Sequence, residues 1–387
     1  MIFRILEDQY AEKIRQRDEA DRRFMQLALT LGRRGLGRTW PNPAVGAVVV
    51  QDGIIVGRGW TQPGGRPHAE VEALRRAGAA ARGATLYVTL EPCSHVGKSP
   101  PCADAVVAAG ISRVVSAIED PNPLVAGQGY AKLRAAGITV DTGLGAREAA
   151  HDHAGHFCRI RERRPHVILK LAVSSDDRIA AAGHKPVAIT GETARTRVHL
   201  LRAQCDAILV GIGTVLSDDP LLTCRLPGME SRSPVRVVLD SALRISAESR
   251  LMHSARPTPL WLIASETAEA ASAARLGAAG AQVIRLAPKP GAIPGAVGLD
   301  LKIVLHTLAE RGITRLLVEG GSRVAGAFVA AGLADEIWLL RGPDAIGQGG
   351  VAALDAMPLA AITQSPAFKL RASETLDKDT LTIFERA

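Results

Sequence analysis

The chain has 387 residues, a formal net charge of +8, 47% hydrophobic residues and only 3% aromatic residues. This length predicts two or three domains, and the lack of an apolar run of 18 residues argues against a transmembrane helix. Five scattered cysteines and a charged start of the chain argue against a disulfide framework and a signal peptide, so we expect a cytoplasmic protein. The positive charge suits nucleic acid or an anionic phosphorylated substrate, but few rings are available for base stacking.

The first part of the chain alternates predicted helices and strands. We expect a charged, loose helical extension over residues 1–20 and an α/β domain over residues 21–145. Asp52-Gly53 separates two apolar segments, and this dipeptide predicts a two-residue hairpin turn. Further strands are predicted over residues 85–90 and 113–118, since both are short apolar runs bounded by turn residues.

Three potential metal ligands and one carboxylate lie at the ends of these elements. His68 precedes a helix predicted over residues 69–77, Cys93 follows a strand, and Cys102 begins a second helix. One imidazole and two thiolates leave a tetrahedral Zn²⁺ with an open position for water, as in catalytic rather than structural sites. Zinc lowers the pKa of such a water to about 7, and Glu70 is then placed to move protons.

The order of these residues is more informative than their identity alone. His-x-Glu followed by Pro-Cys and a further Cys is the signature of zinc deaminases, although the insert over residues 94–101 is longer than the two residues of that signature. The helix over 69–77 is expected to turn Val71, Leu74 and Ala77 inward. Two buried cysteines and a surface histidine would explain the residues without a metal, but not their order.

A second α/β domain is predicted over residues 166–387, after a linker over residues 146–165. The linker contains His151, His153 and His156 at irregular spacing, and we expect it to be solvated rather than to bind a second metal. The elements predicted for the second domain are strands over 167–173, 207–211, 235–240, 260–264, 314–319, 337–340 and 380–384, and helices over 191–204 (with Thr190 as N-cap), 301–311 and 322–333.

Two strand-to-helix turns of the second domain are candidate phosphate-binding turns. They are Gly320-Gly321-Ser322 and Gly211-Ile212-Gly213-Thr214. Backbone N–H groups at a helix start favour an anion, but a tight packing turn explains each sequence equally well. Neither turn matches the Gly-x-Gly-x-x-Gly fingerprint, so a Rossmann dinucleotide site is not supported.

The first domain resembles the bifunctional riboflavin biosynthesis deaminase/reductase family. The matching segments are residues 41–46, 68–70, 89–95, 97–102 and 120–123. That family deaminates a pyrimidine carrying a ribose phosphate, so the resemblance implies that the long insert between the cysteines supplies phosphate contacts. It implies Lys98 as the phosphate contact and Asn42 and His95 as substrate contacts, although a solvated lysine and a turn asparagine are the plain alternatives.

The second domain resembles the reductase of the same family, which implies a dihydrofolate-reductase-like fold and NADPH. The matching segments are residues 170–174, 201–203, 213–225 and 318–321. By this similarity, the residues facing the cofactor would be Ala172, Thr214, Asp218, Ser241, Gly321 and Ser322. Those facing the ribosyl phosphate substrate would be Lys170, Asp176, Arg202, Leu222, Arg225 and Glu319.

The second domain also departs from the family pattern. Asp177 stands where the family has a glycine, and Pro186 and Ala188 stand where it has a serine and a tryptophan. Asp177 is expected to add negative charge near the NADPH phosphates. These departures predict a reductase that is weakened, altered or lost.

The resemblance therefore implies a zinc-dependent hydrolase and an NADPH-dependent oxidoreductase in one chain. The first would deaminate a diaminopyrimidinone ribosylamine phosphate, and the second would reduce the ribosyl group to a ribityl chain. We expect a homo-oligomer that acts on this small phosphorylated pyrimidine, without nucleic-acid or membrane partners. Three alternatives stay open: a deaminase with a degenerate reductase domain, a nucleic-acid deaminase with a C-terminal binding module, and a non-enzymatic protein stabilised by zinc.

Overall fold

The computed structural model of the protein describes residues 2–97, 99–185, 187–287, 298–355 and 357–387, with side chains from residue 15 onward except that of His184. It divides into two compact units, Met1–Glu162 and Arg163–Ala387. The boundary lies inside the segment that we expected to be a linker. Within the described residues, no helix combines the length and the apolar character that crossing a bilayer requires.

The first unit is a five-stranded sheet in the order β2-β1-β3-β4-β5. Strand β1 is antiparallel to β2 and β3, while β3, β4 and β5 run parallel. Asp52 and Gly53 both have positive φ (51° and 77°), which confirms the predicted hairpin turn. The elements are α1 (Ile2–Arg33), β1 (Gly46–Gln51), β2 (Ile54–Trp60), α2 (Ala69–Ala77), β3 (Thr85–Val88), α3 (Cys102–Ala108), β4 (Arg113–Ser116), α4 (Gln128–Ala135), β5 (Thr139–Thr142), α5 (Ala146–Asp152) and α6 (Ala154–Glu162).

Helices cover both faces of this sheet because the side chains of β1 alternate between them. Ala47 and Val49 pack in one cluster with residues of α2 and α3, while Val48 and Val50 pack with residues of α1. Helix α2 lies directly on β2, since a Cβ at Gly59 would be 2.4 Å from the Ala69 carbonyl oxygen. This close approach fixes the helix that begins after His68.

Two expectations for the first unit were wrong. Val71 is 36% exposed, whereas Glu72 is buried and pairs with two arginines of its own helix. Residues 1–20 are not a separate extension, since α1 continues unbroken to Arg33. Asp21, buried in the middle of that helix, accepts hydrogen bonds from Arg113, which anchors α1 to β4.

The expected solvated linker is instead helical and partly buried. Residues 146–152 and 154–162 form α5 and α6, and His153 and His156 are buried. His153 Nε2 lies 3.2 Å from the Thr89 carbonyl oxygen, and His156 Nε2 lies 3.0 Å from Asp120 Oδ1. These two histidines therefore support the first unit from within.

The second unit is a nine-stranded sheet in the order β11-β10-β9-β8-β12-β6-β13-β16-β15, with a small β14-β7 ribbon. The first seven strands in this order, from β11 through β10, β9, β8, β12 and β6 to β13, are all parallel. Strands β16 and β15 form an antiparallel hairpin, and β16 pairs antiparallel to β13. The elements are β6 (His166–Val173), β7 (Arg178–Ala180), α7 (Glu192–Ala203), β8 (Ala207–Gly211), α8 (Ile212–Asp218), β9 (Val235–Leu239), α9 (Arg250–His253), β10 (Leu260–Ser265), α10 (Ala270–Ala278), β11 (Gln282–Leu286), α11 (Leu301–Glu310), β12 (Arg315–Val318), α12 (Ser322–Ala330), β13 (Glu336–Arg341), β14 (Val351–Ala352), α13 (Ala360–Thr363), β15 (Phe368–Leu376) and β16 (Asp379–Arg386).

The strand order decides where the site of this unit forms. Strand β12 comes late in the chain but inserts between β8 and β6, so the carboxyl ends of three strands meet at the centre of one edge. Ligands of open parallel sheets bind at such an edge. The predicted N-cap Thr190 was wrong, because Gly191 occupies that position and donates its N–H to Asp379 Oδ2.

Candidate functional site

The three predicted metal ligands converge in the first unit. His68 Nδ1 lies 3.3 Å from Cys102 Sγ and 3.7 Å from Cys93 Sγ. The three ligand atoms all lie within 4.8 Å of one another. In a tetrahedral site with Zn–N of about 2.0 Å and Zn–S of about 2.3 Å, nitrogen and sulfur are separated by about 3.5 Å. The observed distances therefore fit a zinc ion held by these three residues.

Each ligand is positioned by the end of a regular element. His68 is the N-cap of α2, and Cys102 is the first residue of α3, following Pro101. The Cys102 backbone N–H donates to Cys93 Sγ at 3.2 Å, which holds the two sulfur atoms side by side. Hydrogen bonding from the Cys102 thiol lowers the pKa of Cys93 to about 4, which favours the thiolate that binds metal.

Glu70 lies beside this triad and is only 3% exposed. It sits in the first turn of α2, so its carboxylate is carried by the same helix end as His68. Burial raises the pKa of Glu70 to about 7, and the carboxyl group also interacts with Cys102. A carboxyl group of this kind can accept and return a proton near neutral pH.

One of the three predicted substrate contacts of the first unit, Asn42, lies beside the triad. Asn42 Nδ2 is 3.5 Å from His68 Nε2 and donates to the Gly65 carbonyl oxygen at 2.7 Å. His95 is exposed in the insert between the two cysteines. Lys98 lies outside the described residues. Arg66, which the sequence reasoning missed, donates to Ser99 Oγ in that insert.

The strand end that carries Cys93 is fixed by a buried carboxylate. Glu91 is 3% exposed and accepts backbone N–H groups from Gly127 at 3.0 Å and Gly129 at 2.9 Å. A Cβ at Gly129 would be 2.1 Å from the Pro92 carbonyl oxygen, so α4 packs directly against the residue before Cys93. Glu91 therefore supports a metal ligand without touching the metal.

The second unit brings together three of its predicted substrate residues. Arg202 binds Glu319 through two hydrogen bonds, at 2.7 Å and 2.9 Å, and Lys170 Nζ lies 3.6 Å from Glu319 Oε2. All three side chains are largely buried. The two cations lower the pKa of the buried Glu319 to about 2, so it stays ionised. The cluster carries a net positive charge, which suits an anionic substrate.

Arg225 and Leu222 lie next to this cluster, in the segment after α8. The Arg225 backbone N–H lies 3.4 Å from His199 Nδ1, and the Arg225 side chain is exposed. Leu222 is buried and has a φ of 57°. The sequence reasoning missed His199, although it lies three residues before Arg202 on α7 and therefore on the same helix face.

The predicted cofactor residues lie at the carboxyl edge of the sheet. Gly321 is the N-cap of α12, and a Cβ there would lie 3.6 Å from Thr214 Oγ1, so the two glycine turns are neighbours. The next residue, Ser322, is buried, and Ser241 follows β9. Ala172 is half-buried on β6, and Asp218 is exposed at the end of α8.

Gly320 shows why this turn requires glycine. A Cβ at Gly320 would lie 2.6 Å from the Cβ of Val324, one turn into α12. The helix can therefore approach the end of β12 only without a side chain at this position. Close packing against Val324 therefore explains why residue 320 is a glycine, while Gly321 faces Thr214.

Asp176 has a different surrounding from the other predicted substrate residues. Its carboxylate accepts the backbone N–H groups of Ile346 at 3.0 Å and Gly347 at 2.8 Å and the Ser174 hydroxyl at 2.6 Å. These hydrogen bonds lower its pKa to about 2. The geometry shows Asp176 holding two loops together.

The departures from the family pattern have a partial structural explanation. Asp177 has a φ of 62°, in the region that glycine adopts most easily, and its Oδ1 lies 2.6 Å from Arg341 Nη1. The negative charge that Asp177 adds is therefore paired with Arg341. Ala188 is exposed, and Pro186 lies outside the described residues.

Comparison with known proteins covers both units. Residues 18–118 match the cytidine and deoxycytidylate deaminase zinc-binding region, and residues 165–382 match the RibD C-terminal domain. The riboflavin biosynthesis protein RibD of Aquifex aeolicus is 40% identical to this chain, over 95% of this chain and 99% of its own length. The RibD protein of Escherichia coli is also 40% identical, over 91% of this chain and 95% of its own length.

Solved structures give the same result. Acinetobacter baumannii RibD superimposes with a TM-score of 0.83 at 36% identity, covering 95% of this chain and 99% of its own. A second structure, from Thermotoga maritima, superimposes with a TM-score of 0.81 at 34% identity and covers the same shares of the two chains. It is described as a diaminohydroxyphosphoribosylaminopyrimidine deaminase/5-amino-6-(5-phosphoribosylamino)uracil reductase. These matches confirm the predicted fold class, a cytidine-deaminase-like zinc domain followed by a dihydrofolate-reductase-like domain.

Proposed function

This chain belongs to the RibD family of riboflavin biosynthesis proteins, and we propose how its two units divide the work of that family. The protein is a bifunctional riboflavin biosynthesis enzyme, a zinc-dependent deaminase and an NADPH-dependent reductase in one chain. Deamination belongs to residues 21–145 with the helices that follow them, and reduction belongs to residues 166–387. The substrate is a diaminopyrimidinone that carries a ribosylamine phosphate.

The deaminase reaction exchanges the ring amine for a carbonyl oxygen from water and releases ammonia. When bound by His68, Cys93 and Cys102, zinc makes a hydroxide nucleophile available near neutral pH. Glu70 accepts one proton of the attacking water and delivers it to the ring nitrogen. It then carries the second proton, from the new hydroxyl group, to the amine, which leaves as ammonia as the carbonyl forms. Asn42, His95 and Lys98 orient the pyrimidine and its phosphate.

The reductase reaction opens the ribosyl group of the deaminated product to a ribityl chain. NADPH, when bound at the turns around Thr214 and Gly321, supplies the hydride. Lys170, Arg202 and Arg225 provide positive charge for the phosphorylated sugar. Glu319 fixes Arg202 in place through a bidentate contact and pairs with Lys170 at 3.6 Å. The residues assigned to NADPH are Ala172, Thr214, Asp218, Ser241, Gly321 and Ser322, and those assigned to the substrate also include Asp176 and Leu222.

The reductase domain is functional in this proposal and not degenerate. The support is the intact cluster of Lys170, Arg202 and Glu319 and the ion pair between Asp177 and Arg341. A relic domain under no selection for its reaction would have no reason to keep three charged side chains largely buried together, since burial of charges is costly.

The observation that carries the deaminase assignment is the convergence of three metal-binding atoms beside a buried carboxylate. The test is to incubate zinc-loaded protein with the diamino substrate, with and without NADPH, and to identify both products by mass. Glu70→Gln should keep zinc and lose ammonia release by roughly 10²- to 10⁴-fold. The exposed Glu148→Gln is the matched control. Near-normal ammonia release from Glu70→Gln would remove Glu70 from the mechanism.

We also propose that the protein is a homo-oligomer located in the cytoplasm, with no nucleic-acid partner. Support for an oligomer comes from β15, an edge strand of nine residues that carries the 63% exposed Leu370. Edge strands of this length are usually covered or paired. Light scattering after gel filtration gives the oligomeric state, and salt-dependent tRNA binding would contradict the exclusion of nucleic acid.

A further inference from the structure

Arg66 is a cation beside the zinc site to which neither the motif nor the family resemblance gave a role. It lies two residues before His68, and its Nη1 donates to Ser99 Oγ in the insert between Cys93 and Cys102. Its charge also acts on the His68 imidazole. Arg66 therefore bridges the turn before α2 and the insert, two residues from the metal ligand His68.

The backbone that carries Arg66 is held rigidly. Gly65 N donates to the Gln62 carbonyl oxygen at 2.9 Å, and Gln62 N donates to that of Pro67 at 3.0 Å. A Cβ at Gly65, which has a φ of 84°, would lie 2.6 Å from Asn42 Nδ2, so the turn packs directly on a predicted substrate contact. A side chain on such a support loses little further backbone entropy when it binds a ligand.

The insert lies close to the guanidinium group. A Cβ built at Gly97 would lie 3.7 Å from Arg66 Nη2 and 3.8 Å from His95 Nε2. Gly97 therefore separates the arginine from the predicted substrate contact His95 without placing a side chain between them. Gly97 N also donates to the Ser99 carbonyl oxygen at 3.3 Å.

The side chains of Arg66 and Ser99 have the hydrogen-bond donors that a phosphate group requires. A guanidinium group carries five N–H donors in a planar fork that matches two phosphate oxygens, and only one donor is used on Ser99. Because the Ser99 oxygen accepts that bond, the hydroxyl keeps its own proton to donate. We propose that Arg66, together with Ser99, binds the phosphate of the deaminase substrate and so selects phosphorylated over dephosphorylated pyrimidines. This inference rests on the proposed deaminase function of the first unit.

The kinetic test measures ammonia release without NADPH, so that the reductase does not contribute. Phosphorylated and dephosphorylated diamino substrates are compared for the wild type, Arg66→Ala, Arg66→Lys and the control Arg58→Ala, whose side chain is exposed on β2. Arg66→Ala should raise KM for the phosphorylated substrate roughly 10- to 100-fold with little change in kcat. For the dephosphorylated substrate, Arg66→Ala and the wild type should be equal. Arg66→Lys should lie between them, because it keeps the charge but not the fork.

If Arg66 only held the insert in place, its variants would show different kinetic constants. They would have a lower zinc content, or a kcat lowered by the same factor with both substrates, and that result would overturn the assignment. Unchanged KM for the phosphorylated substrate in Arg66→Ala, or in Arg66→Lys if the alanine variant does not fold, would also overturn it.

A second measurement needs no turnover and separates this inference from the proposed function. Ribose 5-phosphate is titrated by calorimetry into zinc-loaded protein. The wild type and Arg58→Ala should bind it at one more site per chain than Arg66→Ala. Equal stoichiometry would overturn the role of Arg66. Absence of ammonia release in the wild type, with the difference in stoichiometry retained, would contradict the deaminase assignment and leave the anion site supported.

Discussion

Replacing Glu319 by glutamine tests the charged cluster of the second unit. The Glu319 carboxylate forms ion pairs with both Lys170 and Arg202, and its side chain is 9% exposed. Glutamine has nearly the same shape but no charge. Two buried cations would then lack their counterion, and the Arg202 fork would lose one of its two charged acceptor oxygens.

The expected loss of stability follows from the pKa of Glu319. That pKa is about 2 in the folded protein, against an ordinary value of 4.5. A difference of this size corresponds to about 3 kcal/mol of folding free energy. Breaking a buried ion pair costs about 3–5 kcal/mol in general, so the two values agree. For a unit of this length, the midpoint of thermal unfolding should fall by roughly 6–12 °C.

The pH dependence gives the sign of the effect. Because the pKa of this acid is lowered on folding, its contribution is fully present above pH 4.5 and is lost as the pH falls towards 2. The difference between the wild type and Glu319→Gln should therefore be constant from pH 7 to pH 5 and should shrink at lower pH. Urea unfolding of the second unit at several pH values measures this difference.

The matched control is Glu266→Gln, since Glu266 is exposed in the same unit. It should change stability by no more than about 0.5 kcal/mol. We also expect Glu319→Gln to lower NADPH oxidation while leaving ammonia release unchanged. The reasoning would be refuted by a loss below about 1 kcal/mol at pH 7, or by a difference that persists unchanged at pH 3.

Three further predictions concern the metal, a buried histidine and a glycine turn. Removing zinc with a chelator, or changing Cys102 to alanine, should abolish ammonia release and leave NADPH oxidation with the deaminated substrate intact; full deamination by metal-free protein would contradict the site. Burial lowers the pKa of His153 to about 4 from 6.5, so the stability of the first unit should decrease by up to about 3 kcal/mol between pH 6.5 and pH 4, because the unfolded chain takes up the proton first. His153→Asn should flatten this profile in urea unfolding, and an unchanged slope would exclude His153 as its source. Gly320→Ala places a Cβ 2.6 Å from Val324, and overpacking of about 1–3 kcal/mol should weaken NADPH binding about 5- to 150-fold. The control Gly277→Ala meets open space, and equal NADPH affinity of both variants would show that α12 adjusts freely.

The zinc site was predictable from the sequence because its geometry is encoded locally. His68 and Cys102 each stand at the start of a helix whose periodicity is visible, and Cys93 follows a short apolar strand. Once these three elements pack in one layer, the ligands have little freedom to diverge. The same periodicity placed Val71 on the wrong side, because α2 is covered on two sides and buries Glu72 through ion pairs that no apolar pattern shows.

The reductase cluster was predictable only through the family resemblance. Lys170, Arg202 and Glu319 lie on β6, on α7 and just after β12, and the insertion of β12 between β8 and β6 brings them together. Edge strand β15 was missed because seven of its nine residues are exposed and no apolar alternation marks it.

The sequence by itself determined the chemistry of the metal site, the alternation of strands and helices, and the family. Only the tertiary structure decided that His153 and His156 are internal, that Arg341 pairs with Asp177, and that Arg66 reaches Ser99. The physical reason is distance along the chain. Periodicity and turn residues report on neighbours within a few positions, whereas burial and charge pairing depend on which distant segments the sheet order brings into contact.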